Sequence, residues 1–245
     1  MGAAFPELRP VPTVLPGARG QSEVPAPGVP EAAVLPVMPA LRDLLPRSGL
    51  VRGSVVTVPE FGLLSLALAA RASADGAWCG VAGIPEAGIL AAAGLGLDPE
   101  RTLLVPDLGS AWPQVVASLL DGCEVVLLRP PSRPSAQARQ RLEATLRRGH
   151  GVLLVAGDWP GAQVRLQVAA QGWTGLGAGH GRLRACCAQV TADGRGEAAR
   201  VRTCWLWLPA EDGSVAVADP AEIPGQIIGE PAPDSAPALR IAGGA

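Results

Sequence analysis

Between residues 54 and 155 the chain alternates short β-branched or apolar runs with stretches of helical period, and this rhythm restricts the fold more than any other feature. The runs fall at 54–58, 77–82, 102–105, 124–128 and 151–155, and the stretches between them predict helices over 62–73, 86–94, 111–120 and 135–148. Strands apolar on both faces and separated by helices imply an α/β architecture, a mostly parallel sheet flanked by helices. Before the first strand, Leu41, Leu44 and Leu45 share one side of a short helix expected over 38–45, which ends before Pro46.

After Trp159 the rhythm changes. "VRLQVAA", "GRLRACCAQVTADGRG" and "RVRTCWLWLP" read as consecutive strands, so the sheet should continue into an antiparallel meander toward the C-terminus. Asp193–Gly194 is a dipeptide that favours a tight hairpin turn within it. Residues 1–36, rich in Pro, Ala, Gly and Val and without a period, are expected to be a disordered segment. Residues 37–208 then form the domain, and 209–245 a flexible tail.

Composition narrows the function classes. The longest apolar runs fall well short of the roughly 20 residues that cross a bilayer. The N-terminus is broken by prolines and lacks a basic stretch followed by an apolar block, so a cytoplasmic location is expected. Net charge is only −2, and any attraction to nucleic acid must come from local clustering. Cys79, Cys123, Cys186, Cys187 and Cys204 show no CxxC or Cys/His spacing and read as reduced core residues. His150 and His180 stand alone in sequence, so no metal ligands, cofactor or catalytic residues are expected.

"GSVVTVPEFGLLSLALAA", residues 53–70, has the outline of a nucleotide-binding element: a strand, a glycine-containing turn and an apolar helix. A working phosphate loop needs several flexible residues whose N–H groups wrap the phosphates, a Lys, and a Ser or Thr hydroxyl for Mg²⁺. Here only "PEFG" separates strand from helix.

In wording and order the segment nevertheless resembles the core of the RecA recombinase family. "GLLSLAL" aligns from Gly62 with that family's helix start, with Leu63 in place of the lysine and Leu64 in place of the magnesium-binding hydroxyl. "AWCGVAGIPEAGILAAAGLGLDPERTLLVPD" is similar to the segment with the catalytic glutamate, whose place falls on Ile84 or its neighbour Pro85. "GCEVVLLRPP" looks like the Walker B strand, with Arg129 in place of its aspartate. The resemblance thus implies a degenerate RecA-like domain that hydrolyses no ATP, its old pocket filled by Phe61, Leu63 and Leu64. The short links at 129–135 and 157–163 leave no room for the family's DNA-binding loops.

A narrower resemblance is to the RecA-like accessory proteins of the bacterial mutagenic translesion system, the ImuA group and its actinobacterial branch. "LPVMPALRDLLPRSGLVRGSVVTV", "WPQVVASLLDGCEVVLLRPP" and "WTGLGAGHGRLRACCAQVTADGRG" carry it. It implies a non-catalytic adaptor in the DNA damage (SOS) response, with an ImuB-like Y-family protein as direct partner and a DnaE2-type error-prone polymerase as a second. An ATPase with a displaced nucleotide site and a standalone DNA-binding module are the alternatives.

Two contact surfaces suggest themselves. Arg133, Arg139, Arg141, Arg147 and Arg148, with Glu143 between them, either meet DNA phosphates or an acidic partner, or are the solvated face of a helix packed through Ala138, Leu142 and Leu146. Trp205 and Trp207 share one face of a strand, either as core or as a partner contact.

Overall fold

A computed structural model describes residues 34–177 and 180–219; the segments read as disordered or flexible at 1–33 and 220–245 lie outside the described residues. The parallel rhythm is realised as β3 (Val55–Val58), α1 (Leu63–Ala74), β4 (Cys79–Ala82), α2 (Ile89–Gly94), β5 (Thr102–Val105), α3 (Trp112–Gly122), β6 (Val125–Leu128), α4 (Ala136–Gly149) and β7 (Val152–Ala156). Before it stand β1 (Val34–Pro36) and β2 (Gly49–Val51), an antiparallel pair joined through 3-10 turns at Pro39–Leu44 and Pro46–Ser48. After it come β8 (Val164–Trp173), the two-residue strands β9 (Leu176–Gly177) and β10 (His180–Gly181), β11 (Cys186–Gly194), β12 (Arg202–Trp207) and β13 (Ala216–Val217).

One sheet of nine strands runs in the order β13-β12-β11-β8-β3-β7-β6-β4-β5. From β8 to β5 neighbouring strands are parallel; β8, β11, β12 and β13 pair antiparallel. The meander is therefore hydrogen-bonded directly onto β3.

Alternation along each strand sends neighbouring side chains to opposite layers. Val56, Val58, Val125, Leu127 and Leu154 join one buried cluster with α1, α2 and the Pro39–Leu44 turn. Val55, Val126, Leu128, Leu153 and Val155 join the other, with α3, α4 and the fully buried Trp159. Helix α1 is apolar nearly all round and is buried from Leu64 to Ala70, as such a helix must be. Helix α4 is amphipathic: Ser135 caps it by accepting from the Ala138 N–H, Leu142 and Leu146 are buried, and His150 ends it in a left-handed conformation.

Three expectations are corrected at their edges. Val34–Pro36 and Ala216–Val217, assigned from sequence to the disordered lead and the flexible tail, are strands, because each finds an edge to pair with. The turn expected at Asp193–Gly194 is absent: both residues remain in β11, opposite Arg165 and Val164. Gly194 instead lets two backbones approach, since a Cβ there would run into the Gln163 carbonyl. The chain reverses later, through the 3-10 turn at Gly196–Ala198.

The five cysteines are free. Burial pushes the thiols of Cys79 and Cys204 up to about 12 and that of Cys187 to about 11, so they stay protonated and unreactive. No helix among the described residues is long and apolar enough to cross a membrane.

Candidate functional site

In open α/β sheets, ligands bind beyond the C-terminal ends of the parallel strands, so chemistry is expected at the ends of β3, β4 and β6. Four residues, Pro59 to Gly62, connect β3 to α1, and they are bonded to the helix they introduce. The Ser65 hydroxyl donates to the Glu60 carbonyl at 3.3 Å, and the Leu66 N–H to the Gly62 carbonyl at 3.2 Å. Ser65 thus closes a turn. Gly62 is in an extended conformation with open space where a Cβ would stand, so the geometry itself makes no demand for glycine here. Leu64 is buried, and the half-buried Phe61 and Leu63 pack against the same apolar cluster.

At the end of β4 the chain turns at Gly83, whose N–H donates to the Val105 carbonyl on β5. Its φ of 72° is left-handed, and a Cβ would collide with the Arg129 carbonyl, so only glycine fits. Ile84 follows and is buried. Arg129, at the end of β6, donates its N–H to the Ala82 carbonyl and sends its guanidinium onto the Glu86 carboxylate. The Glu86 carboxyl is held below its usual range by its own backbone N–H and by Arg129.

Gly62, Leu63, Leu64, Ile84 and Arg129 are therefore gathered at one edge of the sheet, at the ends of three strands. Glu86 was missed from sequence, because alignment register pointed to Ile84 or Pro85 and passed over the acid just beyond. A lone Arg after an apolar strand was the signal, since such a cation seeks a carboxylate. Among the described residues no three His, Cys, Asp or Glu side chains converge as metal ligands would.

The five arginines named as a contact surface differ in their settings. Arg133 is exposed in the link before α4. Arg139 lies 3.8 Å from Glu143, which also accepts from the Trp159 indole, so this pair buttresses the core. Arg141 borders the groove between α3 and α4. Arg147 and Arg148 are exposed in the last turn, where Arg148 also bonds the Thr145 hydroxyl. Trp205 and Trp207 stand opposite Gln189 and Cys187, on the face away from the buried Leu206, and both are half-buried. The Trp205 indole N–H is buried without a hydrogen-bond partner.

A crystal structure of the RadB recombinase superposes with a TM-score of 0.52 at 13% identity, covering 74% of this chain and 97% of that one. The fold is RecA-like. Residues 43–161 match the family described as the MT3502 N-terminal domain. An uncharacterized Mycobacterium tuberculosis protein, Rv3395c, is 33% identical over 135 residues, which are 54% of this chain and 66% of that protein, just under two thirds of its length. The matched family segment runs from the 3-10 turn before β2 to the link after β7, so it spans helices α1 to α4 and strands β3 to β7, five of the six strands that pair in parallel.

Proposed function

We propose that this protein is a non-catalytic RecA-like adaptor of an error-prone translesion DNA synthesis complex, acting in the cytoplasm after DNA damage. It binds an ImuB-like Y-family protein directly and through it supports a DnaE2-type polymerase. The reading is carried by the C-terminal edge of the sheet, where the Arg129–Glu86 ion pair occupies the end of β6 and a four-residue turn bonded to its own helix follows β3. An arginine there repels Mg²⁺, and the turn offers too few free N–H groups to wrap a triphosphate.

The far edge of the sheet supports partner binding. β5 ends the sheet with Leu103 and Leu104 exposed on opposite faces, and Leu90 on α2 is almost wholly exposed. An apolar edge strand of this kind is a template for pairing with another chain. The sequence similarity to a mycobacterial protein is in keeping with the actinobacterial branch of the ImuA group.

The test is co-purification of the full chain, and of truncations at residues 37 and 208, with the two polymerase partners, alongside thermal melting with millimolar ATP and ADP. Capture of the Y-family partner and no nucleotide-dependent shift are expected. A chain that captured neither partner and hydrolysed ATP would overturn the reading.

A further inference from the structure

We propose that the opposite, N-terminal edge of the sheet is a docking site for an acidic segment of a partner protein, anchored by a single apolar side chain. A cavity of about 250 Å³ opens there between the Leu45–Ser54 loop, the start of β8 and the turn at Gly196–Ala198. It lies at the beginning of β3, one strand length from the Pro59–Gly62 turn.

Its walls are apolar, with Leu50, Val51, Val56, Val164 and Ala198 among them, while Arg47, Arg52, Arg195 and Glu197 line its mouth. Arg47 is held by Glu197 through two bonds, of 2.6 and 2.7 Å. Arg52 reaches the His150 carbonyl at 3.1 Å and Glu124 at 3.3 Å. Arg195 is exposed and has no ion pair or side-chain hydrogen bond among the described residues. Positive charge therefore exceeds negative at the mouth, and exposed Arg147, whose backbone packs on Gly53, adds to it.

A second, independent observation points to a ligand. Ser54, which lines the cavity, is only 4% exposed, and its hydroxyl has no hydrogen-bond partner. Its main chain is fully used, the N–H donating to Val51 and the carbonyl accepting from Leu153. A buried hydroxyl left over in this way calls for an explanation, and a peptide carbonyl or N–H entering the cavity would satisfy it. The same loop holds Arg47 and Ser48 in left-handed conformations, unusual for residues other than glycine and frequent at binding loops.

The shape selects the class of partner. The volume lies below the roughly 300–1,000 Å³ of pockets that enclose drug-sized ligands and cofactors, so one side chain fits better than a nucleotide. No aromatic residue lines the cavity, whereas single-stranded nucleic acid is held by basic grooves with aromatic platforms. An apolar side chain between carboxylates matches both parts of the site, because arginine takes a carboxylate through two parallel bonds.

The inference rests on the adaptor reading for the partner's identity, and is tested without it. Full-length ¹⁵N-labelled protein is titrated with an acidic pentapeptide centred on leucine, the same peptide centred on glycine, and an oligothymidylate. Saturable shifts at the Leu50, Ser54 and Ala198 amides are expected with the leucine peptide, and binding at least about tenfold weaker with the glycine peptide, as burial of a leucine side chain implies. Arg195→Glu should weaken the leucine peptide by at least about tenfold, as loss of a charge-assisted pair implies, with Arg195→Gln as the milder variant. No saturable shift at millimolar peptide, equal binding of the glycine peptide, or stronger binding of the oligothymidylate at these amides would overturn the proposal. Peptide binding without capture of either polymerase partner would leave the site standing and remove the adaptor reading. Capture without peptide binding would do the reverse.

Discussion

At the C-terminal edge of the parallel sheet Leu64 and Ile84 are buried, Ser65 is bonded to Glu60, and Arg129 is bonded to Glu86. At the N-terminal edge Arg195 is unpaired among the described residues, Ser54 has a buried hydroxyl with nothing to bond, and two residues are left-handed. Of these residues, the polar groups at the edge where α/β folds usually bind ligands are paired, and those at the other keep unused polar capacity. The recognition groups we propose stand where the loops before the strands meet.

The largest test of this contrast is Gly83→Ala. Left-handed backbone and collision with the Arg129 carbonyl act together, so we expect a loss of about 2–5 kcal/mol, read as a lower urea midpoint. Gly53 has a similar φ of 76° at the other edge, but its added Cβ would meet Arg147 at 3.5 Å and the Leu146 carbonyl at 4.0 Å, both ordinary contacts. Gly53→Ala should therefore lose only the left-handed share, about 1–2 kcal/mol. Equal losses would show that close packing at the C-terminal edge contributes nothing.

Next in size is Leu64→Ala, which deletes a side chain 5% exposed that packs with α1 and the strands beneath it. A loss of about 2–3 kcal/mol in chemical unfolding is expected if Leu64 is core. A neutral outcome would mean that the position where the RecA family carries a hydroxyl is not filled by packing.

Smaller, and of opposite sign, is Ser54→Ala. Removing a buried hydroxyl without a partner relieves a desolvation penalty, so the variant should be more stable by about 1 kcal/mol while binding the leucine peptide less well. A less stable variant would show that the hydroxyl has a partner inside the protein.

Much of this architecture was legible in the sequence, and the reasons for the exceptions are specific. The strand at Thr102–Val105 matches the expectation residue for residue, and β3, β4, β6 and β7 differ by one or two at their ends, because β-branched runs bounded by turns have sharp limits. Asp193–Gly194 misled because a glycine required for close approach to Gln163 looks the same in sequence as one required for a turn. Gly62, Leu63, Leu64, Ile84 and Arg129 could be named because the resemblance to the RecA family marks those positions, and they fall at or just after strand ends. Glu86 was not, since its role depends on where a guanidinium from a distant strand reaches. The N-terminal cavity was invisible for the same reason: Arg47 and Ser54 lie on one loop, but Val164 and Arg195 come from segments more than a hundred residues away, and no spacing links them.

The finest distinction between the two edges is electrostatic. At each an Arg–Glu pair stands exposed, Arg129 with Glu86 and Arg47 with Glu197, and both carboxyls are held below the ordinary value of 4.5. The causes differ in order: for Glu86 its own backbone N–H comes first, whereas for Glu197 the Arg47 guanidinium does. A carboxyl lowered by folding contributes stability that is complete above its unfolded value and is lost as pH falls through the folded one. Both contributions should therefore disappear only below the normal glutamate range. Side-chain NMR titration of Arg129→Met should find Glu86 still depressed, while Arg47→Met should let Glu197 rise toward 4.5. If Glu86 returned fully and Glu197 did not, the C-terminal edge would depend on its ion pair and the N-terminal one on its backbone, and the contrast between a closed edge and a receptive one would reverse.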